Sequence, residues 1–168
     1  SVAETALLLM LECSRNVTVL HKTWVTDFYK AKLKVRKNTV SGKTVGIIGC
    51  GNIGSRLAKR ALAMEMNVLA YDPFKPAKDF PDGVEVVRDI NRIFKESDYV
   101  SVHTPNTPLT HNMINKETLA MMKPTAFLIN TARGGCVDED ALYEACKNGT
   151  ICGAGLDAIK QEPVDPNL

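Results

Sequence analysis

Apolar and polar residues follow two spacings along most of this chain. From Thr44 onward, short apolar runs alternate with stretches in which apolar residues recur at helical spacing. The runs predict strands at residues 44–49, 67–72, 84–87, 98–103, 126–130 and 152–157. The stretches between them predict helices at residues 52–65, 89–96, 115–122 and 138–148. Because several runs are continuously apolar, as in strands covered on both faces, we expect an α/β fold: a Rossmann-type, doubly wound parallel sheet.

The first 43 residues are organised differently. Their opening predicts a helix, with Ser1 as its cap and Glu4 three residues later, as in a capping box. Apolar side chains recur there at helical spacing, at Val2, Ala6, Leu9, Met10 and Cys13. Residues 15–43 show no clean period, and we interpret them as an irregular arm anchored by Trp24, Phe28 and Tyr29. The expected division is an N-terminal helix and arm over 1–43 and a Rossmann core over 44–168.

Composition narrows the class of protein. A chain of 168 residues with 45% hydrophobic and 24% charged residues is ordinary for one globular domain. The net charge of +2 favours no nucleic-acid partner, and we interpret the basic residues between Lys30 and Lys43 as a solvated linker. No apolar run reaches the roughly 18 residues that span a membrane. Five cysteines without metal-ligand spacing predict free thiols in a reducing cytoplasm and no metal site.

A glycine-rich turn joins the first predicted strand of the core to its first helix. It reads Gly49-Cys50-Gly51-Asn52-Ile53-Gly54. In such a turn the first glycine permits the tight bend, the second lets the backbone approach a pyrophosphate, and the third lets the helix pack close to the strand. Backbone N–H groups at the start of the helix, at Asn52 and Ile53, would then face the phosphates.

An acidic residue closes the next strand. Asp72 follows Tyr71 at the end of an apolar run, where a carboxylate can accept hydrogen bonds from a ribose diol. The same charge would repel a 2′-phosphate, so NAD is expected over NADP, although Lys75 or Lys78 could soften that preference. With the strand, turn, helix and acid in order, the sequence predicts a dinucleotide site.

Polar or glycine-rich residues also follow the later strands. They are His103-Thr104-Pro105, Asn130 to Gly135, and Asp157. Because ligands bind at the carboxyl ends of the strands in such sheets, these residues are expected to converge on the same site.

These segments together resemble the D-isomer-specific 2-hydroxyacid dehydrogenases, over essentially the whole chain. The blocks are Gly42 to Phe74, Val102-His103-Thr104-Pro105 with Thr107-Pro108-Leu109-Thr110, Ile129 to Glu139, Gly155-Leu156-Asp157, and Glu162-Pro163. The branch that the chain resembles most holds phosphoglycerate dehydrogenase and the glyoxylate or hydroxypyruvate reductases. The resemblance implies NAD as cofactor and a small D-2-hydroxy acid or 2-oxo acid as substrate.

The resemblance also implies roles for single residues. Arg133 would grip the substrate carboxylate and carbonyl through its planar fork of donors. Glu162 corresponds to the carboxylate that orients a catalytic histidine. His103 is either a neighbour of the cofactor or a histidine packed at a strand end. The implied cofactor-binding set is Gly49, Gly51, Asn52, Ile53, Gly54, Tyr71, Asp72, His103, Thr104, Pro105, Thr110, Thr131, Ala132, Arg133 and Asp157.

Part of the family's machinery has no counterpart in these 168 residues. The family's proton-transfer histidine follows a later proline-histidine pair, and none of His21, His103 and His111 matches it. We therefore expect the cofactor domain of an NAD-dependent oxidoreductase, inactive by itself and with strand 152–157 at an unpaired sheet edge. The N-terminal helix and arm resemble the family's dimerisation elements, so a homodimer is expected.

Two alternatives remain from the sequence. One is an NAD-sensing interaction module, similar to the co-repressors that resemble this family. The other is an S-adenosylmethionine methyltransferase, which shares the glycine turn and the acid but gives the Asn130 to Gly135 block no role.

Overall fold

A parallel sheet forms the centre of the molecule. The computed structural model describes residues 2–24 and 38–163. Within these ranges the strands are β1 (Thr44–Ile48), β2 (Asn67–Tyr71), β3 (Glu85–Val86), β4 (Tyr99–Val102), β5 (Phe127–Asn130) and β6 (Gly153–Leu156). They lie in the order β3-β2-β1-β4-β5-β6, and every neighbouring pair is parallel. This is the strand order of the Rossmann fold, which confirms the predicted fold class.

Helices connect the strands. They are α1 (Val2–Arg15), α2 (Val17–Trp24), α3 (Asn52–Ala63), α4 (Ile90–Glu96), α5 (Lys116–Met121) and α6 (Glu139–Lys147). The later helices begin where the sequence provides a cap, since the side chains of Asp89, Asn115 and Asp138 accept hydrogen bonds from the first turns of α4, α5 and α6. All four core helices were predicted, each within about two residues at either end, which is ordinary variation at helix termini.

The region after α1 departs from the predicted irregular arm. Residues Val17–Trp24 form the helix α2, so the prediction is wrong there. Asn16, with φ of 51°, separates the two helices, and the Glu12 carboxylate accepts a hydrogen bond from the N–H of Thr18 at 2.8 Å. This local cap offsets the weak helix propensity of the β-branched residues that open α2. Trp24 keeps 57% of its surface exposed and is not a buried anchor, while Phe28, Tyr29, the basic run to Lys37 and the cap Ser1 lie outside the described residues.

Two apolar layers cover the sheet. On one face α1 and α3 pack on the strands through small residues such as Ala6, Ala58 and Ala61. On the other face α4, α5 and α6 contribute larger side chains, among them Phe94, Leu119 and Leu142. Because α1 packs with the sheet core, it is an integral part of the fold. In the described ranges no helix is both long and apolar enough to cross a membrane.

Two edges bound the sheet. Predicted strand 84–87 is shorter in the structure, where β3 spans Glu85–Val86 and pairs with β2 at Leu69 and Ala70. At the opposite edge β6 pairs with β5 alone among the described strands, as expected. The chain adds β2 and β3 on one side of β1 and then crosses back to place β4 on its other side, so the loops that leave β1 and β4 diverge there. That divergence opens the crevice in which Rossmann folds bind their ligands.

Candidate functional site

A cavity of about 820 Å³ lies at the carboxyl ends of β1, β2 and β4. Its volume falls in the range of small-molecule and cofactor sites. The lining includes predicted site residues from three strand ends: Gly49, Gly51, Tyr71, Asp72, His103, Thr104, Pro105 and Thr110. Two exposed apolar side chains, Phe74 and Leu109, also line it. The structure therefore brings together residues that are up to 61 positions apart in sequence, counted from Gly49 to Thr110.

The glycines of the turn differ in what surrounds them. A Cβ on Gly49, whose φ is +89°, would lie 2.9 Å from the carbonyl oxygen of His103. A Cβ on Gly54 would lie 2.1 Å from the carbonyl oxygen of Gly49. A Cβ on Gly51 would have nothing within 4 Å. The first and third glycines are thus required by the protein's own packing, whereas the space beside the second is open to a ligand.

The start of α3 can receive an anion. Gly51 is its N-cap and supplies no side-chain acceptor, in contrast to the capped starts of α4, α5 and α6. Asn52 and Ile53, in the first turn, are both exposed. Backbone N–H groups at the positive end of a helix favour phosphate oxygens. Open space at Gly51 and an uncapped helix start fit the pyrophosphate of a dinucleotide.

Asp72 is fixed beside this turn. Its Oδ2 accepts a hydrogen bond from the N–H of Cys50 at 2.9 Å, and its Oδ1 accepts one from the N–H of Phe74 at 3.1 Å. The carbonyl oxygen of Tyr71 accepts from the N–H of Gly49 at 2.9 Å. These bonds hold a half-buried carboxylate at the edge of the cavity, which suits a ribose diol.

His103 lies at the wall between β1 and β4. Its Nε2 is 2.9 Å from Ser101 Oγ, and its Nδ1 is buried without a hydrogen-bond partner among the described residues. Burial lowers the pKa of the imidazole to about 4. The ring is therefore neutral near pH 7 and contributes shape and polarity to the wall, not charge.

The loop after β4 is held by Thr110. Its hydroxyl donates to the carbonyl oxygen of Pro105 at 2.6 Å and accepts from the N–H of Thr107 at 2.8 Å. Thr104 packs nearby, with its Oγ1 at 3.7 Å from the Met113 sulfur. The loop thus presents Pro105 and Leu109 as a formed wall of the cavity.

The loop that carries Arg133 is organised by Asn130. The Asn130 amide is fully buried; it donates to the carbonyl oxygens of Arg133 at 3.1 Å and Ala158 at 3.3 Å, and accepts from the N–H of Ala132 at 3.1 Å. The sequence placed Asn130 among the strand-end residues but gave it no role. The available signal was a single amide closing the apolar strand Phe127-Leu128-Ile129.

The side chains on this loop differ in exposure. The guanidinium of Arg133 is exposed, donates to the carbonyl oxygen of Ala132 at 2.6 Å, and forms no ion pair with a described carboxylate. Thr131 is buried, and its hydroxyl has no partner among the described residues. Within the part of the chain that the structure describes, the charge of Arg133 is therefore available to an anionic ligand.

Asp157 and Glu162 follow β6. The N–H of Asp157 donates to the carbonyl oxygen of Asn130 at 2.9 Å, and its side chain is exposed. Glu162 Oε1 accepts from the N–H of Ile159 at 3.1 Å in an exposed turn. A Cβ on Gly134 would lie 2.0 Å from the Ile159 backbone, so the loops after β5 and β6 are in direct contact. Glu162 is thus placed near this edge of the sheet, but no hydrogen bond or ion pair among the described residues joins it to Arg133.

Among the described residues, no group of three His, Cys, Asp or Glu side chains is arranged to hold a metal ion.

Residues 7–168 match the family model described as D-isomer specific 2-hydroxyacid dehydrogenase, NAD binding domain. The chain belongs to this family. The expected resemblance is confirmed, and the turn at Gly51 and the carboxylate of Asp72 are parts of an NAD-binding domain.

Named relatives support the same assignment. The chain is 47% identical over 163 residues to a hydroxypyruvate reductase from Thermotoga maritima, covering 97% of this chain and 52% of that protein. It is 42% identical over 168 residues to a D-3-phosphoglycerate dehydrogenase from Methanocaldococcus jannaschii, covering 99% of this chain and 32% of that protein. The chain thus spans about half or less of the length of these relatives. Their names give no support to the co-repressor alternative.

A solved structure agrees in fold. The NAD-complexed D-isomer specific 2-hydroxyacid dehydrogenase from Lactobacillus delbrueckii ssp. bulgaricus superposes with a TM-score of 0.83 at 33% identity. The match covers 99% of this chain and 52% of that one. The two chains therefore share a cofactor-domain fold.

Proposed function

We propose that this chain is the cofactor domain of an NAD-dependent oxidoreductase acting on a small D-2-hydroxy acid or the corresponding 2-oxo acid. The observation that carries the proposal is the open space at Gly51, beside an uncapped helix and the carboxylate of Asp72. A hydroxypyruvate reductase and a D-3-phosphoglycerate dehydrogenase among the relatives support an acid substrate of this class.

The cofactor is assigned to the cavity, to the start of α3 and to the loops after β5 and β6, as follows. The pyrophosphate binds N–H groups of Asn52 and Ile53, and the adenosine ribose binds Asp72. The adenine lies in the apolar part of the cavity, against Phe74 and Leu109, with Thr104 and Pro105 beside the nucleotide. Thr131 and Ala132 border the nicotinamide, and Asp157 binds its carboxamide. Bound NAD supplies the hydride acceptor.

Arg133 and Glu162 are assigned to the substrate side. The exposed fork of Arg133 binds the carboxylate and the C2 oxygen of the acid and fixes their orientation. Glu162 orients the imidazole that exchanges a proton with the C2 oxygen. That imidazole does not come from His21 or His111, which are exposed on other elements, or from His103, whose Nε2 lies 2.9 Å from Ser101 Oγ. We therefore assign residues 1–168 cofactor binding without turnover.

A homodimer in the cytoplasm completes the proposal. α1 and α2 expose apolar side chains, with Leu8 64%, Val17 54% and Val19 49% exposed. Such a surface suits burial against a second copy of the chain. The five cysteines are free thiols, which suits a reducing compartment. Light scattering coupled to gel filtration should give the mass of a dimer, and a monomeric mass would count against this part.

Fluorescence titration of the polypeptide with NADH and, in parallel, NADPH tests the central claim. Saturable NADH binding with much weaker NADPH binding is expected. Absence of saturable binding to either nucleotide would overturn the cofactor assignment. In the same preparation, NADH should not be oxidised by glyoxylate or hydroxypyruvate above the buffer rate. Turnover at ordinary enzyme rates would contradict the assignment of cofactor binding alone.

A further inference from the structure

Lys75 reaches back from the segment after β2 to the glycine turn. Its Nζ donates to the carbonyl oxygen of Cys50 at 2.6 Å and to Ser55 Oγ at 2.9 Å. Ser55 Oγ donates to the same Cys50 carbonyl oxygen at 3.0 Å. The ammonium also lies 5.3 Å from the centroid of the Phe80 ring. Three groups, the Cys50 carbonyl, the Ser55 hydroxyl and the Phe80 ring, thus hold a half-buried lysine in one place behind the turn.

These contacts fix the direction of the next N–H group. In a trans peptide the C=O and the N–H point in opposite directions. Because the Cys50 carbonyl points toward Lys75 and Ser55, the N–H of Gly51 points away from them. The N–H of Cys50 is bound in turn by Asp72 at 2.9 Å. The segment after β2 therefore clamps both peptide groups of Cys50 before any ligand arrives.

The positive charge of Lys75 also suggests a role in binding phosphate. The positive end of a helix disfavours a nearby cation. Lys75 nevertheless places its ammonium at the start of α3, on a carbonyl of the turn and a hydroxyl of the first helical turn. Such a concentration of positive charge becomes favourable when a diphosphate binds.

We propose that Lys75 is a positioning residue of the cofactor site, which fixes the Cys50–Gly51 peptide and adds positive charge for the pyrophosphate. This inference rests on the proposed function. It also places the effect of Lys75 at the pyrophosphate, which NADH and NADPH have in common. Because its ammonium is held on Cys50 and Ser55, Lys75 raises affinity for both and leaves the preference set by Asp72 unchanged, instead of softening it as the sequence suggested.

Binding of NADH, NADPH, ADP-ribose and adenosine to the wild type and to Lys75→Met tests the proposal. We expect the three diphosphate ligands to bind about 5- to 20-fold more weakly to Lys75→Met, as for loss of a charge-assisted contact. Adenosine, which has no phosphate, should bind as it does to the wild type. Lys75→Arg should restore most of the affinity. Lys59→Met, which removes an exposed lysine from the body of α3, should match the wild type.

The outcomes separate this inference from the proposed function. Wild type that binds NADH, with Lys75→Met unchanged, would overturn the inference alone. An equal loss for adenosine would also overturn it, because a merely structural lysine would weaken every ligand of the cavity. Failure of the wild type to bind any of the nucleotides would overturn both. Should Lys75→Met unfold, Lys75→Gln keeps a donor at this position without the charge, and an intermediate loss is expected.

Discussion

The buried amide of Asn130 holds the backbone of Arg133, with 3.1 Å between Asn130 Nδ2 and the Arg133 carbonyl oxygen. The same amide group donates to Ala158, which follows β6. One side chain therefore joins the loop of the proposed substrate-binding arginine to the loop that contains Asp157. A buried side chain thus positions two loops whose outer residues, Arg133 and Asp157, are exposed.

Replacing Asn130 with Asp should destabilise the protein. Both donor hydrogens disappear, and a buried carboxyl faces two carbonyl oxygens. An unsatisfied or charged buried group of this kind costs about 2–3 kcal/mol. Urea unfolding at pH 7 would measure the loss. Asn106→Asp is the matched control, because Asn106 is exposed in the loop after β4 and its side chain forms no hydrogen bond among the described residues, so it should change the free energy of unfolding little. Equal stability of the two variants would contradict the role of Asn130.

Alanine substitutions at Gly51 and Gly54 should affect different properties, NADH binding at Gly51 and stability at Gly54. In Gly54→Ala the new methyl meets the Gly49 carbonyl at 2.1 Å, so α3 or the turn must move. Such overpacking costs about 1–3 kcal/mol or more. Gly51 has φ of −72° and open space, so Gly51→Ala should cost only the poorer N-cap, about 1 kcal/mol or less, and should be less destabilising than Gly54→Ala. Its methyl would occupy the proposed pyrophosphate position, and NADH affinity should fall about tenfold or more.

Thermal unfolding and NADH titration of both glycine variants provide the check. Each variant serves as the control of the other. Unchanged NADH affinity in Gly51→Ala would place the pyrophosphate elsewhere, and wild-type stability in Gly54→Ala would contradict the close helix packing.

The strands show why much of this fold could be predicted. β4 and β5 are short, wholly buried and covered on both faces, so their sequences are apolar apart from Ser101 and the terminal Asn130. The residues that follow each strand could be assigned to one edge because parallel strands end together. Helix α2 was missed because its β-branched start gives no helical signal and its cap comes from Glu12 in the preceding helix.

The internal contacts of the site could not be predicted in the same way. Lys75 binds a carbonyl 25 residues earlier, and Asn130 binds one 28 residues later. Neither separation follows the period of a helix or a strand, because each contact depends on where two loops meet in the folded protein. A lysine in a loop and an amide at a strand end have many structural uses, so their partners became visible only in three dimensions.

His103 should make stability depend on pH. Its pKa is lowered from an ordinary 6.5 to about 4 in the folded protein, because burial disfavours the charged ring. Below pH 6.5 the unfolded chain binds a proton that the folded chain does not. The free energy of unfolding should therefore fall as the pH drops from 6.5 toward 4, by about 3 kcal/mol at most for this group.

Urea unfolding at pH 7.5, 5.5 and 4.5 for the wild type and His103→Gln would isolate this contribution. Other groups titrate in both proteins, so the difference between the two curves reports His103. The wild type should lose stability more steeply with acid than the variant. Parallel curves would mean that His103 is hydrated and titrates normally.

Asp72 should set the preference between the two nicotinamide cofactors. Its carboxylate lies at the edge of the cavity, held by Cys50 and Phe74, where a 2′-phosphate on the ribose would meet a like charge. In Asp72→Asn the repulsion disappears, so NADPH affinity should rise, while NADH affinity falls because a neutral amide accepts a diol hydrogen bond more weakly. Each change is about 1–2 kcal/mol for a charge-assisted bond or a close like-charge pair, roughly tenfold in affinity. Asp79→Asn removes an exposed acid from the neighbouring turn and should leave the ratio of the two dissociation constants unchanged. A ratio in Asp72→Asn equal to that of the wild type would show that the preference, where one exists, is set by another residue.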